Sequence, residues 1–141
     1  MVTSVDKVLF LKRVALFSQL PGRELLQLAS IAEHVTFPEH SIIFEEGSEG
    51  DSLYLILQGC VAISCAGREI ATLGPSECFG EMSILDSAPR SATVSAVDHV
   101  NALRIGRESF YNLLAQQREI SMAIIHILAH RLRGANALHG R

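Results

Sequence analysis

The chain has 141 residues, a formal net charge of −3 at pH 7, 48% hydrophobic residues and 19% charged residues. This length suits one domain with a single core, and the apolar content argues against intrinsic disorder. The basic residues are scattered apart from Lys12-Arg13, Arg131 and Arg133, which is too little for a nucleic-acid-binding stripe. We therefore expect no direct nucleic-acid partner.

The cysteine pattern and the apolar segments indicate the compartment. The chain contains three cysteines, Cys60, Cys65 and Cys78. They form neither a Cys-x-x-Cys pair nor an even-numbered framework, which favours reduced thiols and disfavours structural zinc. The longest uncharged stretch, Ser52 to Gly67, is interrupted by glycine and is too short for a membrane span. We expect a soluble cytoplasmic chain, either whole or as one part of a larger protein.

The first third of the chain carries apolar residues at helical spacing, which predicts helices at about residues 5–34. These residues include Val8, Leu9, Leu11, Val14, Leu25, Leu26, Leu28, Ala29 and Ile31. Pro21 lies where the second helix can begin, because a proline lacks only an N–H that is not needed there.

Short apolar runs separated by turn residues follow, at about residues 35–106. The runs are Ile42 to Phe44, Leu53 to Leu57, Val61 to Ser64, Glu69 to Leu73, Ala92 to Ala96, and Val100 to Ile105. Many short strands with closely spaced turns indicate a roll, barrel or jelly-roll sandwich.

Helical spacing returns after Gly106 and predicts C-terminal helices at about residues 107–138, which Gly134 is expected to weaken or end. The fold class is therefore α+β and mainly β, a jelly-roll-like β-roll flanked by N-terminal and C-terminal helices in one domain, 1–141. His126 and His130 are four residues apart on the last helix. They have no third ligand in their motif, so we expect no metal site there.

One segment concentrates polar chemistry. It reads Phe79-Gly80-Glu81-Met82-Ser83-Ile84-Leu85 and continues, after a turn, as Pro89-Arg90-Ser91-Ala92-Thr93-Val94. A glutamate such as Glu81 can accept a hydrogen bond from a ribose hydroxyl, and the planar guanidinium of Arg90 suits a phosphate. The small residues permit close approach to backbone N–H groups, so the segment predicts a cradle for a sugar-phosphate.

This ordered run resembles the phosphate-binding cassette of cyclic nucleotide-binding domains, the family of catabolite activator proteins and protein kinase A regulatory subunits. The resemblance covers almost the whole chain, including the turns at Glu46-Gly47, Gly50-Asp51 and Gln58-Gly59. His40 departs from it, because the family pattern has a turn glycine there. The resemblance implies a sensor domain that is not an enzyme and transmits ligand binding through its C-terminal helices.

The resemblance also implies the site. Arg90 is expected to pair with the cyclic phosphate and Glu81 to bind the ribose. The ligand-binding set is Phe79, Gly80, Glu81, Met82, Ser83, Arg90, Ser91 and Ala92. In the family, threonine directly after the arginine favours guanine; Ser91 is compatible with either base, so we expect cAMP to be preferred over cGMP. Arg131, Arg133 and Asn136 are the candidate lid residues that reach the base.

Several alternatives stay open at this point. Instead of binding a phosphate, Arg90 could form an internal ion pair with Glu81 or Asp86. A degenerate domain would bind a protein partner without nucleotide, as a scaffold. A cupin-type enzyme needs a His-x-His cluster, whereas the histidines here are isolated. The chain ends too soon after Arg133 for a helix-turn-helix domain of its own, so the expected partner is an effector domain elsewhere or a second copy joined through the C-terminal helices.

Overall fold

A computed structural model of the chain describes residues 2–14, 17–80 and 88–138. Within these ranges, two helices precede eight strands and two helices follow them. The helices are α1 (Ser4–Leu11), α2 (Gly22–Ile31), α3 (Arg107–Gln116) and α4 (Arg118–Leu138). The strands are β1 (Ala32–Phe37), β2 (Ile42–Phe44), β3 (Ser52–Gln58), β4 (Val61–Cys65), β5 (Arg68–Leu73), β6 (Cys78–Phe79), β7 (Thr93–Ala96) and β8 (Val100–Gly106). The predicted α+β fold with a β-roll between helices is confirmed.

The strands form two four-stranded antiparallel sheets. One sheet has the order β1-β8-β3-β6 and the other the order β2-β7-β4-β5. In the first sheet β8 lies between β1 and β3, with Ala32 opposite Ile105 and Leu55 opposite Leu103. In the second sheet the hairpin of β4 and β5 is joined to the roll through β7.

Strand β3 is buried on both faces because it separates two cores. Its side chains alternate with the period of a strand. Leu53 and Leu55 pack with the helices in the first core, whereas Tyr54 and Ile56 face the second core, between the sheets. This alternation explains why the run from Leu53 to Leu57 is apolar at every position.

The N-terminal and C-terminal helices share the first core. Phe17, which precedes α2, lies 6.3 Å from the ring of Phe110 in α3, and both side chains are fully buried. Helix α4 contributes Ile120 and Ile124 to the same core. The helical segments before and after the roll therefore form one layer against one face of the first sheet.

Three local features differ from expectation. Strand β1 begins at Ala32, inside the predicted helical region, because α2 ends there and the chain pairs with β8. Helix α4 continues through Gly134 to Leu138, since one glycine costs a helix only about 1 kcal/mol. Strand β6 has only two residues, too few to show the alternation of apolar and polar residues that predicts a strand. It forms by pairing with β3. His40, the departure from the family pattern, has a φ of +69°, a left-handed conformation that glycine adopts more readily than other residues.

Over the described ranges, every helix falls short of the combination of length and apolar character that crossing a membrane requires.

Candidate functional site

A cavity of about 210 Å³ opens beside the second sheet, where the predicted cassette meets the hairpin of β4 and β5. Its walls are mainly apolar, and one cationic side chain lines it. The lining residues are Phe44, Ile63, Leu73, Cys78, Phe79, Gly80, Arg90, Ser91, Ala92 and Val94. A small organic molecule that carries an anionic group suits such a lining.

The backbone of Arg90 is fixed by the turn between β2 and β3. Its N–H donates to the carbonyl of Ser48 at 2.8 Å, and its carbonyl accepts from the N–H of Gly47 at 2.7 Å. Gly47 has a φ of +83°, a conformation that glycine adopts without strain. These two hydrogen bonds hold Arg90 shortly before β7, at the edge of the cavity.

The guanidinium of Arg90 lies inside the protein, with the residue only 5% exposed. Nη2 donates to the carbonyl of Ser52 at 2.9 Å, and Nη1 donates to the carbonyl of Gly80 at 3.3 Å. Cζ lies 3.9 Å from the centre of the Phe44 ring. Two carbonyl dipoles and an aromatic face therefore surround the cation.

No carboxylate in the described part of the chain forms an ion pair with Arg90. Within the same residues its Nε is buried and has no hydrogen-bond partner. Burial is the main cause that lowers the pKa of Arg90; the charges of Tyr54 and Asp51 oppose this shift, and those of Arg107 and Arg104 add to it. A buried guanidinium with a donor to spare is costly, which makes an anion the fitting partner.

Gly80 makes the position of the guanidinium possible. Its φ is +82°, and a Cβ added there would lie 2.6 Å from Nη1 of Arg90 and 2.8 Å from the carbonyl oxygen of Ser52. Both distances are shorter than side-chain carbons tolerate. The glycine of the Phe79-Gly80-Glu81 run therefore serves the arginine ten residues later.

The structure brings five of the predicted ligand-binding residues to the cavity: Phe79, Gly80, Arg90, Ser91 and Ala92. Glu81, Met82 and Ser83 lie outside the described residues, as does Asp86, so the ion-pair alternative for Arg90 lies there too.

The three predicted lid residues lie on α4. Arg133 is exposed there, and the side chains of Arg131 and Asn136 lie outside what the structure describes. None of the three is among the described residues that line the cavity.

Four lining residues lie outside the segment from Phe79 to Val94 that the sequence predicted as the cradle. Phe44 ends β2, Ile63 and Leu73 lie on the hairpin of β4 and β5, and Cys78 starts β6. Three of them belonged to predicted strands, so the sequence marked them as apolar and did not show which face each side chain occupies. Their assignment to the site depends on sheet pairing that the sequence pattern leaves open.

A second cavity, of about 420 Å³, lies where β8 meets α3, and its chemistry differs from that of the first. Arg104 pairs there with Glu33 at 2.9 Å and with Asp51 at 3.6 Å. Burial opposes the charge of Arg104, but hydrogen bonds with Glu33 and Tyr54 and the charge of Asp51 raise its pKa. Arg104 and Arg107 line this cavity together with the carboxylates Asp51 and Glu108, so its charges are balanced and the smaller cavity is the better candidate for an anion.

In the described ranges, no three residues among histidine, cysteine, aspartate and glutamate come together as metal ligands would. His126 and His130 are both exposed on α4.

Comparison with known proteins gives a consistent result. The model of the cyclic nucleotide-binding domain family matches residues 34–117. The CRP-like cAMP-activated global transcriptional regulator of Mycobacterium tuberculosis (strain ATCC 25618 / H37Rv) is 34% identical over 131 residues, which are 89% of this chain and 58% of that protein. The cAMP-dependent protein kinase regulatory subunit of Dictyostelium discoideum is 29% identical over 112 residues, which are 74% of this chain and 34% of that protein. The chain thus spans little more than half of the first and a third of the second.

Solved structures agree. The N-terminal domain of a transcriptional regulator from Streptomyces coelicolor A3(2) superposes with a TM-score of 0.84 at 34% identity, covering 91% of this chain and 95% of that one. The catabolite activator protein of Thermus thermophilus superposes with a TM-score of 0.71 at 35% identity, covering 89% of this chain and 62% of that one.

Proposed function

Since the chain belongs to the cyclic nucleotide-binding domain family, we propose that residues 1–141 form one regulatory domain that binds cAMP in preference to cGMP and is not an enzyme. The observation that carries the proposal is Arg90, a buried cation at the cavity that has no anionic partner among the described residues. A cyclic phosphate supplies one negative charge and two acceptor oxygens, which suits the spare Nε and a planar guanidinium. The names of the related proteins, which are regulators activated by or dependent on cAMP, support the same ligand.

The remaining groups of the proposed site each have a role. The apolar walls at Ile63, Leu73 and Val94 provide surface for the base and the sugar ring. Glu81 is proposed to accept a hydrogen bond from a ribose hydroxyl. Backbone N–H groups are proposed to come from Gly80, Ser83, Ser91 and Ala92. Phe79 and Met82 complete the proposed site. Arg131, Arg133 and Asn136 of α4 are proposed as the lid. A cytoplasmic location belongs to the same proposal.

Titration calorimetry of the purified chain with cAMP, cGMP and linear AMP tests the ligand. We expect cAMP to bind more tightly than cGMP and AMP to bind more weakly than either, because AMP carries a second negative charge. Arg90→Ala is expected to weaken cAMP binding roughly 100-fold or more, since hydrogen bonds to charged groups contribute about 1.5–3 kcal/mol each. Arg90→Lys restores only part of this, because an ammonium lacks the planar fork.

Arg68→Ala is the matched control, because Arg68 is an exposed arginine on β5 that does not line the cavity. It is expected to leave affinity unchanged. A folded Arg90→Ala protein with the affinity of the parent chain would place the site elsewhere. Absence of binding by all three nucleotides would favour the scaffold alternative, in which the domain binds a protein partner.

We also propose that binding is transmitted through α3 and α4. Arg90 donates to the carbonyl of Ser52, and the adjacent carbonyl, of Asp51, accepts the N–H of Arg107 at 2.6 Å. Arg107 is the first residue of α3. An anion bound to Nε of Arg90 would therefore act through the guanidinium on the Ser52 carbonyl, next to the peptide that holds the start of α3.

Hydrogen exchange with and without cAMP tests this transmission. We expect protection to change after Glu119 as well as in the cassette. A change confined to residues 79–94 would show that α4 is structural and that the signal leaves by another route.

Helix α4 has a second apolar face in addition to the one it buries. Ile120, Ile124 and Ile127 face the core, whereas Met122, Ile125 and Leu132 are exposed on the same helix. We propose that this exposed face contacts a second copy of the chain. An effector domain is the alternative occupant of the same face. Sedimentation velocity distinguishes the two, because a dimer that Ile125→Lys dissociates supports the second copy and a monomer at all concentrations supports the effector domain.

A further inference from the structure

The guanidinium of Arg90 is held on three sides by different groups. Two donors, Nη1 and Nη2, reach the carbonyls of Gly80 and Ser52, and the centre of the Phe44 ring lies 3.9 Å from Cζ. The Nε donor is left without a partner among the described residues. An aromatic face attracts a cation through the negative charge at its centre, and the attraction is largest where water is excluded.

Phe44 is itself held firmly. It pairs in register with Val94 of β7, which places its strand beside the cavity. Its ring lies 5.8 Å from that of Phe79 and 6.3 Å from that of Tyr54, and the latter two rings are stacked at 5.1 Å. The ring therefore has little freedom to leave the guanidinium.

The geometry points to Phe44 as the positioning residue of the anion site: its ring holds the Arg90 guanidinium in place before ligand arrives and keeps the spare Nε donor available. This inference rests on the proposed function. An arginine side chain loses much rotamer freedom when it is immobilised, and a site that has already ordered its arginine does not lose that freedom again on binding. The aromatic face suits this role because it stabilises the charge without occupying any of the five N–H donors.

The sharpest test replaces Phe44 with phenylalanine analogues carrying one and then three ring fluorines. These analogues keep nearly the same shape while withdrawing negative charge from the ring face, so a packing role would not respond to them. We expect the affinity for cAMP to fall stepwise along the series, by about threefold to tenfold from phenylalanine to the trifluoro analogue. Affinity that is flat or rises along the series overturns the inference.

Phe37 is the matched control. Its ring packs edge-on against Tyr54 at 5.8 Å in the same aromatic cluster, and it neither contacts Arg90 nor lines the cavity. The same fluorinated analogues at Phe37 are expected to leave cAMP affinity unchanged. A decline of equal size at both positions would show that the effect comes from the cluster's packing, which contradicts a positioning role for Phe44.

A second measurement does not depend on ligand. In the ¹H–¹⁵N correlation spectrum of the ligand-free protein, the Phe44 ring should shift the Nε–H proton of Arg90 upfield. Phe44→Leu should move this signal downfield, whereas Phe37→Leu should leave it in place. A signal that does not move in Phe44→Leu overturns the inference. If the parent chain binds no cyclic nucleotide, the proposed function fails together with the positioning role. Tight cAMP binding with a flat fluorine series overturns the inference about Phe44 alone.

Discussion

Replacing Gly80 with alanine should damage both stability and ligand binding, because the added methyl group competes with Arg90 for one space. The backbone contributes the first cost, since an L-residue at a φ of +82° is disfavoured by about 1–2 kcal/mol. Crowding contributes the second, because the new Cβ would lie 2.6 Å from Nη1 of Arg90 and 2.8 Å from the Ser52 carbonyl oxygen. Overpacking of this kind costs about 1–3 kcal/mol, so we expect a total of about 2–5 kcal/mol.

Gly67→Ala separates the two costs. Gly67 has a φ of +80°, nearly the same as that of Gly80, and an added Cβ there meets nothing within 4 Å. Its substitution should therefore cost only the backbone share, about 1–2 kcal/mol. Urea denaturation measures both variants, and titration with cAMP should show at least roughly tenfold weaker binding for Gly80→Ala and unchanged binding for Gly67→Ala. Equal losses of stability and affinity in the two variants would refute the claim that Gly80 makes room for Arg90.

Glu81→Ala should weaken cAMP binding roughly tenfold, less than Arg90→Ala, because the arginine also neutralises the phosphate; calorimetry that reverses this order would contradict the proposed roles. Ser91→Thr should shift the ratio of the two dissociation constants towards cGMP by up to about tenfold, which corresponds to one neutral hydrogen bond of up to about 1.4 kcal/mol. An unchanged ratio would assign base selection to other residues. Phe110→Ala should lower the free energy of unfolding by about 3–5 kcal/mol in urea, because Phe110 is fully buried against Phe17. The exposed Val5 is its control, and Val5→Ala should change stability by less than about 0.5 kcal/mol.

The sequence predicted most strands because their apolar runs are bounded by turn residues with special backbone geometry. Gly47, Gly59 and Gly67 all have positive φ, and each lies in a turn between strands that the runs predicted. Where no turn residue marked the boundary, the prediction was less accurate. The transition from α2 to β1 at Ala32 has no glycine or proline, and it is set by pairing with β8 far along the chain.

The site divides in the same way between local and distant contributions. The run around Arg90 is contiguous with its own small residues, so a sequence pattern can mark it. Phe44 and Ile63 line the same cavity although they precede Arg90 by 46 and 27 positions in the sequence. Only sheet pairing brings them there. No periodicity in one segment can predict which side of a distant strand faces it.

The distant contacts also decide which substitution is most informative about Arg90. Arg90→Ala removes the cation, so it reports the combined loss of charge, donors and packing against Phe44. Gly80→Ala keeps the cation and displaces it from the space beside Ser52. If Arg90 served packing alone, Gly80→Ala would lower the stability of the protein. The molecules that still fold would then bind nucleotide with the affinity of the parent chain. If Arg90 binds the phosphate, affinity falls in the fully folded protein as well, because an arginine that has moved by even 1 Å no longer presents its donors to the same point.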